Sequence, residues 1–363
     1  MRIAQIAPLY ESVPPKLYGG TERIVSYLTE ELVKMGHEVV LFASADSRTS
    51  ARLVPLFERA LRFESRCADP VSLHLLAMEE ALKRRDEFDI IHSHIDSMGF
   101  VLGRRTMLPV VNTLHGRLDL WDLRYIFREY NEAPLISISN AQRKPLPYAN
   151  WIATVYHGVP EDLYDFNEKG GDYLVYVGRI SPEKRVDSAI NIALKTGIPL
   201  KIAAKVDRAD REYFEAVIRP LLNNSLVEFI GEINDEEKNS LIGSALAFLH
   251  PVDWPEPFGL AMIESMACGT PVIARKRGSI PEVVDHGITG FIFENDDEAA
   301  RHIVNDLSAF SRKLCRERFE IRFSAERMAR DYLMTYNLLL MKKIGAGTRE
   351  LAGVRADLQH SYN

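Results

Sequence analysis

A chain of 363 residues that is 46% hydrophobic and 26% charged has the size of two or three ordinary domains and a globular composition. Its formal net charge of -6 argues against a general nucleic-acid binder, which needs a basic face. The cysteines, Cys67, Cys268 and Cys315, are odd in number and lack metal-ligand spacing, and no stretch approaches the roughly 18 consecutive apolar residues of a membrane helix, so a cytoplasmic location is expected.

The first segment, MRIAQIAPLY, carries one basic residue and no apolar run of signal-peptide length; it reads as a core strand. RIAQIAP then leads through a loop to Gly19 and Gly20, immediately before the amphipathic TERIVSYLTEELVKMG. Two glycines there make a permissive turn, and they also let backbone amides approach a phosphate. EVVLFAS, DIIHSHI, PVVNTLH and PLISISN continue as short β-rich runs, with helical stretches such as DPVSLHLLAMEEALKRRDEF between them. The alternation predicts a parallel sheet covered on both faces, with ligand loops at the strand carboxyl ends. In DIIHSHI, alternation puts His92 and His94 on one side, as packing or acceptor-side residues. His115 ends PVVNTLH, where it would point into the cleft. Ser139 and Asn140 read first as a helix cap.

The polar DFNEKGGD interrupts the pattern as a linker, and a second series follows: YLVYVG, PLKIAAK, LVEFIGE, ALAFLHP, PVIARK and TGFIFE. Arg179 and Lys184 fall just past the carboxyl end of the first of these strands. Basic residues in such a loop read either as ordinary surface charges or as a phosphate-seeking device. In WPEPFGLAMIESMACGTPVIA, Pro255 and Pro257 keep Glu256 in a loop, while Glu264 falls about one and a half turns into an apolar helix. The amides of Phe258, Gly259, Leu260 and Ala261 lie between them at the positive end of that helix, where an anion is favoured. Glu264 sits among Leu260, Met262, Ile263, Met266 and Ala267, where an unpaired carboxylate is costly. Neither a G-x-x-x-x-G-K-[ST] motif nor G-x-G-x-x-G after the first strand is found, which counts against an ATPase or a dinucleotide oxidoreductase.

In order and spacing these features resemble the family 4 glycosyltransferases of GT-B fold, whose E-x7-E motif is matched by Glu256 and Glu264. The likeness extends over about residues 1 to 342, because FSAERMARDYLMTYNLLL is similar to the last helices of that family. It implies an α/β architecture of two doubly wound Rossmann-like domains facing each other across a cleft. The expected division is 1–167 plus about 335–342 on the acceptor side and 168–334 on the donor side, with a mobile tail at 343–363. By the same resemblance, Glu264 binds ribose hydroxyls, Glu256 binds donor-sugar hydroxyls, and Arg179 and Lys184 hold the diphosphate. Gly19, Gly20, Lys205 and the backbone of Phe258, Gly259, Leu260 and Ala261 complete the donor site. Arg179, Lys184, Glu256 and His115 are the expected catalytic positions, with His115 beside the sugar, and Glu282 lies in a loop similar to one near the donor. Glu282 equally suits the first turn of a helix.

The implied reaction is the retaining, metal-independent transfer of a hexose from a nucleotide-diphosphate sugar, a UDP-sugar first, to a hydroxyl of an unidentified acceptor such as a saccharide or lipid-linked glycan. No cofactor or metal is implied, since no histidine and carboxylate cluster has ligand spacing. The alternatives are a GT-B phosphorylase or a catalytically idle nucleotide-sugar-binding protein. The chain departs from the family pattern at His157, Ala204 and Lys205, which leaves the donor's identity open. Tyr18, Trp121 and Tyr125 are candidates for stacking on a sugar. The basic residues at 83–85 and in RRTM offer a peripheral membrane contact against the plainer reading of a solvated face.

Overall fold

Runs of β-branched and aliphatic residues make strands that can be buried on both faces, and this chain uses them in two parallel sheets. In the computed structural model the first sheet contains β1 (Arg2–Ile6), β2 (Glu38–Ala43), β3 (Arg52–Pro55), β4 (Ile90–Ser93), β5 (Val110–Thr113), β6 (Leu135–Ser137) and β7 (Trp151–Thr154). Its spatial order is β3-β2-β1-β4-β5-β6-β7. The second sheet contains β8 (Leu174–Ile180), β9 (Leu200–Val206), β10 (Val227–Gly231), β11 (Ala247–His250), β12 (Val272–Arg275) and β13 (Gly290–Phe293), in the order β10-β9-β8-β11-β12-β13. The structure describes residues 1–17 and 19–360, with side chains to Lys342; Tyr18 and the expected tail at 343–363 lie outside what is described in full.

Each sheet reverses its winding once, between β1 and β4 and between β8 and β11. In doubly wound folds the crevice outside the strand carboxyl ends at such a reversal is the ligand position. The Gly19–Gly20 turn and His94 follow the first pair of strands; Lys184 and Glu256 follow the second, with Arg179 at the end of β8. Two edge strands, β3 and β7, were not among the expected runs. Arg52–Pro55 is short, polar at its start and closed by a proline, and Trp151–Thr154 is only half-buried, so neither has the apolar signature of an interior strand.

The final helix, Ala325–His360, joins the two units. The chain returns to the first unit at Ser324, which bridges Val159, and Arg327 donates to the carbonyls of Tyr156 and His157 at 2.7 and 2.9 Å. This crossing precedes the expected boundary at about 335. A side chain on Gly158 would meet the Ser324 carbonyl at 2.2 Å, so only glycine allows the two segments to pass. Along the helix Met328, Ala329, Tyr332 and Tyr336 form one fully buried stripe, while Met334, Leu338 and Met341 are exposed. Its packing joins what would otherwise be separate interiors: Ile3, Ile24 and Leu28 share one apolar cluster with Val175, Phe248, Phe258 and Tyr332. Among the described residues no helix is long and apolar enough to cross a membrane.

Candidate active site

Between the two sheets lies a cavity of about 600 Å³. Every residue expected at the donor site lines it: Gly19, Gly20, His115, Arg179, Lys184, Lys205, Glu256, Phe258, Gly259, Leu260, Ala261 and Glu264.

Glu256 is held from three directions. Its carboxylate accepts from Lys184 Nζ at 2.5 Å and from the Trp254 indole N–H at 2.9 Å. Its backbone is fixed by Ser279, whose N–H donates to the Glu256 carbonyl at 3.0 Å. Burial opposes ionisation of this 8% exposed residue, but Lys184 and the Trp254 donor outweigh it and hold the pKa below the usual carboxylate range. Pro255 and Pro257 explain the extended loop, as expected. Gly278 was missed by sequence reasoning: it adopts φ +52, and a side chain there would meet the Glu256 backbone N and O at 2.4 Å. Nothing in GSIPEVV marks that glycine out from an ordinary turn.

Glu264 is 3% exposed in the helix Leu260–Ala267 and accepts from Lys238 Nζ at 2.9 Å. Lys238, also missed, lies 3.1 Å from Asp235, which in turn receives the Arg23 guanidinium from the helix Gly20–Lys34. A continuous charge chain, Glu264–Lys238–Asp235–Arg23, therefore crosses from the second unit to the first. The helix bearing Glu264 begins at Gly259, with φ +85 and no side-chain cap, so side chains leave its first amides available to a ligand. The helix after Gly20 likewise lacks a side-chain cap. The two glycines serve different purposes. A side chain on Gly19 would strike Pro15 at 2.7 Å, whereas one on Gly20 would project into open space.

Arg179 donates to Glu183 at 2.8 Å and lies 3.5 Å from Asp210; its register partner across β8 and β9 is Lys205, which pairs with Asp207 at 2.5 Å. Three cations thus converge on one wall of the cavity, each balanced by a carboxylate. The neighbouring Arg185 adopts φ +54 and turns towards Asp187 and Asp253.

On the opposite wall His115 tops a buried polar stack. Its Nε2 lies 2.9 Å from His94 Nδ1, and His94 Nε2 lies 2.7 Å from Gln5 Oε1. His92 is 3.9 Å from His94 between ring centroids and contacts the Tyr336 hydroxyl at 2.6 Å, so the pair does share one side and packs against the final helix. Burial pushes the His115 pKa down to about 3, so its ring is neutral at physiological pH. His157 stacks on it at 5.3 Å and meets Phe258 edge-on at 4.9 Å.

Several expected residues lie elsewhere. Ser139 caps the helix Asn140–Arg143 by accepting from the Gln142 N–H at 3.0 Å, and its hydroxyl donates to the Pro257 carbonyl at 2.6 Å. Glu282 does not line the cavity; it accepts from the N–H groups of Asn140 and Ala141 at 2.8 and 2.7 Å. It thereby caps a helix of the other unit, a role no local pattern reveals. Trp121 and Tyr125 are exposed and form a T-shaped pair at 5.0 Å, also outside the cavity lining. Of the basic stretches, Lys83 pairs with Glu80, Arg104 with Glu129 and Glu132, and Arg105 with Glu79.

Glu22, in the first turn after Gly20, had not been singled out. It lines the cavity at 6% exposure, and burial pushes its carboxyl up to about 7, with the Glu11 and Asp96 charges adding to the rise. The folded-state pKa is above the ordinary 4.5, so the folded protein binds the proton more tightly. Stability from this group is complete below pH 4.5 and is lost as pH rises through 7, by about 3 kcal/mol at most. Glu22→Gln should accordingly be more resistant to urea than the parent at pH 8 and indistinguishable from it at pH 4.5. Equal urea midpoints at pH 8 would remove the argument.

Comparison with known proteins accords with this geometry. A family profile described as Glycosyltransferase Family 4 matches residues 18–163, and one described as Glycosyl transferases group 1 matches 164–314. The chain is 25% identical over 371 residues to a glycogen synthase of Mycobacterium tuberculosis, covering 86% of this chain and 88% of that one. Sucrose-phosphate synthase from Thermosynechococcus elongatus superposes with a TM-score of 0.78 at 20% identity, over 94% of this chain and all of the other. HepE of Anabaena in complex with UDP-glucose gives 0.68 at 19% identity, over 95% of this chain and all of the other. With two consecutive family matches that together cover residues 18–314, the chain belongs to the family 4 glycosyltransferases of GT-B fold and is a transferase enzyme.

Proposed function

We propose that the protein transfers a hexose from a UDP-sugar to a hydroxyl acceptor with retention of configuration and without a metal ion. The observation that carries this reading is the convergence on one cavity of a basic wall, Arg179, Lys184 and Lys205, with the two carboxylates Glu256 and Glu264. Glu264 accepts the ribose hydroxyls in place of Lys238, and Glu256 accepts those of the sugar. The amides from Phe258 to Ala261 hold sugar and phosphate oxygens, and Gly20 gives the phosphates access to the helix start. Arg179 and Lys184 supply the positive charge that a divalent cation supplies in other nucleotide-sugar enzymes, so the leaving diphosphate is stabilised as its charge grows.

Front-side displacement is favoured over a covalent intermediate. The Glu256 carboxylate is engaged by Lys184 and Trp254, which reduces its nucleophilicity, so the departing phosphate oxygen takes the acceptor proton. His115 is neutral and serves as a hydrogen-bonding wall for the sugar. Closure around these groups excludes water from an activated sugar. The UDP-glucose complex of a protein of the same fold supports UDP as the first nucleotide to test.

The test is binding and product release across UDP-, GDP- and ADP-hexoses, with and without chelator. One donor should bind and turn over slowly in a chelator-insensitive way, and Glu264→Gln should weaken its binding about 10- to 100-fold, as loss of a charged hydrogen-bond acceptor would. Turnover that disappears with chelator would overturn the metal-independent mechanism, and an inverted product would overturn retention.

A further inference from the structure

His115 stands beyond the end of β5, where the sheet no longer fixes it. The last register pair of β5 and β6 is Thr113 with Ile136, and one further bond, from the Leu114 N–H to the Ile136 carbonyl at 3.2 Å, closes the ladder. The carbonyls of Leu114 and Gly116, on either side of His115, therefore need partners from elsewhere. Both accept from a single side chain: Gln142 Nε2 donates to each of them at 2.9 Å. Its Oε1 accepts the Ile138 N–H at 2.9 Å, so both ends of the amide are engaged. Asp96 accepts the His115 backbone N–H. The peptide units around His115 are thus held by side chains in place of a neighbouring strand.

Gln142 is buried and does not line the cavity, whereas His115, Gly116 and Ile138 do, so it acts on a ligand only through the loop it holds. The turn that carries it is itself tied to the second unit. Ser139, which accepts the Gln142 N–H, donates to the Pro257 carbonyl next to Glu256, and Glu282 accepts from Asn140 and Ala141. Ser279, at the head of the helix that bears Glu282, in turn donates from its N–H to the Glu256 carbonyl and from its hydroxyl to the Phe258 carbonyl, each at 3.0 Å. The short helix Asn140–Arg143 therefore sets the place of His115 by reference to the Glu256 loop on the opposite wall. A loop presents a group to a reacting centre with useful precision only when supporting hydrogen bonds hold it to within about 0.5 Å, and these bonds form such a support.

We propose that Gln142 is a positioning residue for glycosyl transfer, whose amide sets where the His115 imidazole stands at the donor sugar. This rests on the glycosyltransfer reading and adds to it a residue that touches neither substrate. Gln142→Met keeps the length of the side chain but offers no amide donor, so the carbonyls of Leu114 and Gly116 turn towards other partners and His115 moves with them.

The experiment uses the full chain with ring-labelled histidine, and UDP-hexoses, UDP-glucose first, as the probe; hydrolysis to UDP and the free sugar is transfer to water. In Gln142→Met the His115 ring resonance, assigned by its loss in His115→Ala, should shift in the NMR spectrum. The resonances of His37 and His286, which bond instead to Met1 and Ile292, should stay in place. UDP affinity should remain within about threefold of the parent, while kcat for hydrolysis falls about 10- to 100-fold. In a His115→Ala background the same substitution should change kcat by less than about threefold, because the group it positions is gone. An unmoved His115 resonance, a kcat within about threefold of the parent, or a loss that multiplies undiminished onto that of His115→Ala would each overturn the proposal. Should Gln142→Met no longer bind UDP, Gln142→Asn, which carries the same amide on a side chain one methylene shorter, goes through the same cycle and is judged by the same outcomes. Failure of glycosyltransfer itself is read separately, as absence of UDP release by the parent from every UDP-hexose tried; the His115 resonance then still decides whether Gln142 holds the loop.

Discussion

Lys184→Ala is expected to lower turnover by about 10²- to 10³-fold, the usual effect of removing one preorganised group from a developing anion. The loss should fall mainly on kcat, because a cation aimed at the leaving diphosphate matters more in the transition state than in the bound donor. The same substitution strips a buried carboxylate of its counter-ion: Lys184 lies 2.5 Å from Glu256, and their side chains are only 18% and 10% exposed. Breaking such a pair from one side costs about 3–5 kcal/mol, less whatever Glu256 recovers by taking up a proton. Adding Glu256→Gln to Lys184→Ala removes the stranded charge, so stability should return towards the parent while turnover stays low. Urea midpoints and kcat for the four proteins of this cycle separate the two effects. A double variant as unstable as Lys184→Ala alone would show that the pair does not carry the stability, and near-parental kcat in Lys184→Ala would remove its role in catalysis.

The second large effect is expected at a residue with no chemistry of its own. Gly278→Ala places a methyl group 2.4 Å from the backbone N and O of Glu256, at a φ of +52. Both are backbone atoms, so the segment carrying Glu256 must move, and a displacement of about 1 Å at a reacting centre costs on the order of 10²-fold in rate. Gly287→Ala is the matched control, with φ +80 and nothing within 4 Å of the added methyl. It meets the backbone strain alone, about 1 kcal/mol. The Gly278 variant should therefore lose turnover far beyond what its stability accounts for, and the Gly287 variant should not. Equal kcat in the two variants would mean that the Glu256 loop tolerates the displacement.

The two predictions fall on opposite sides of what the residues alone disclose. Lys184 and Glu256 are visible in the chain because proline, glycine and an apolar helix start lie at fixed spacings around them. Gly278 is invisible, because it matters through an approach between segments that no local spacing encodes. Glu22 belongs with Gly278: a glutamate in the first turn of a helix is ordinary, and only burial against Glu11 and the cavity makes its proton affinity unusual. Glu282 misleads in the same way, since the N–H groups it caps belong to Asn140 and Ala141.

The sequence by itself determined the alternation of strands and helices, the break between two α/β series and the placing of the charged loops at strand carboxyl ends, because each depends on periodicity or on residues a few positions apart. Only the tertiary structure decided that both sheet reversals face one cavity and that β3 and β7 close the edges of the first sheet. It also decided that the final helix crosses at Ser324, and which carboxylate answers which cation. Those outcomes depend on segments far apart in the chain coming within a few ångströms, where burial and unlike charges select the partner; local pattern carries no record of that approach.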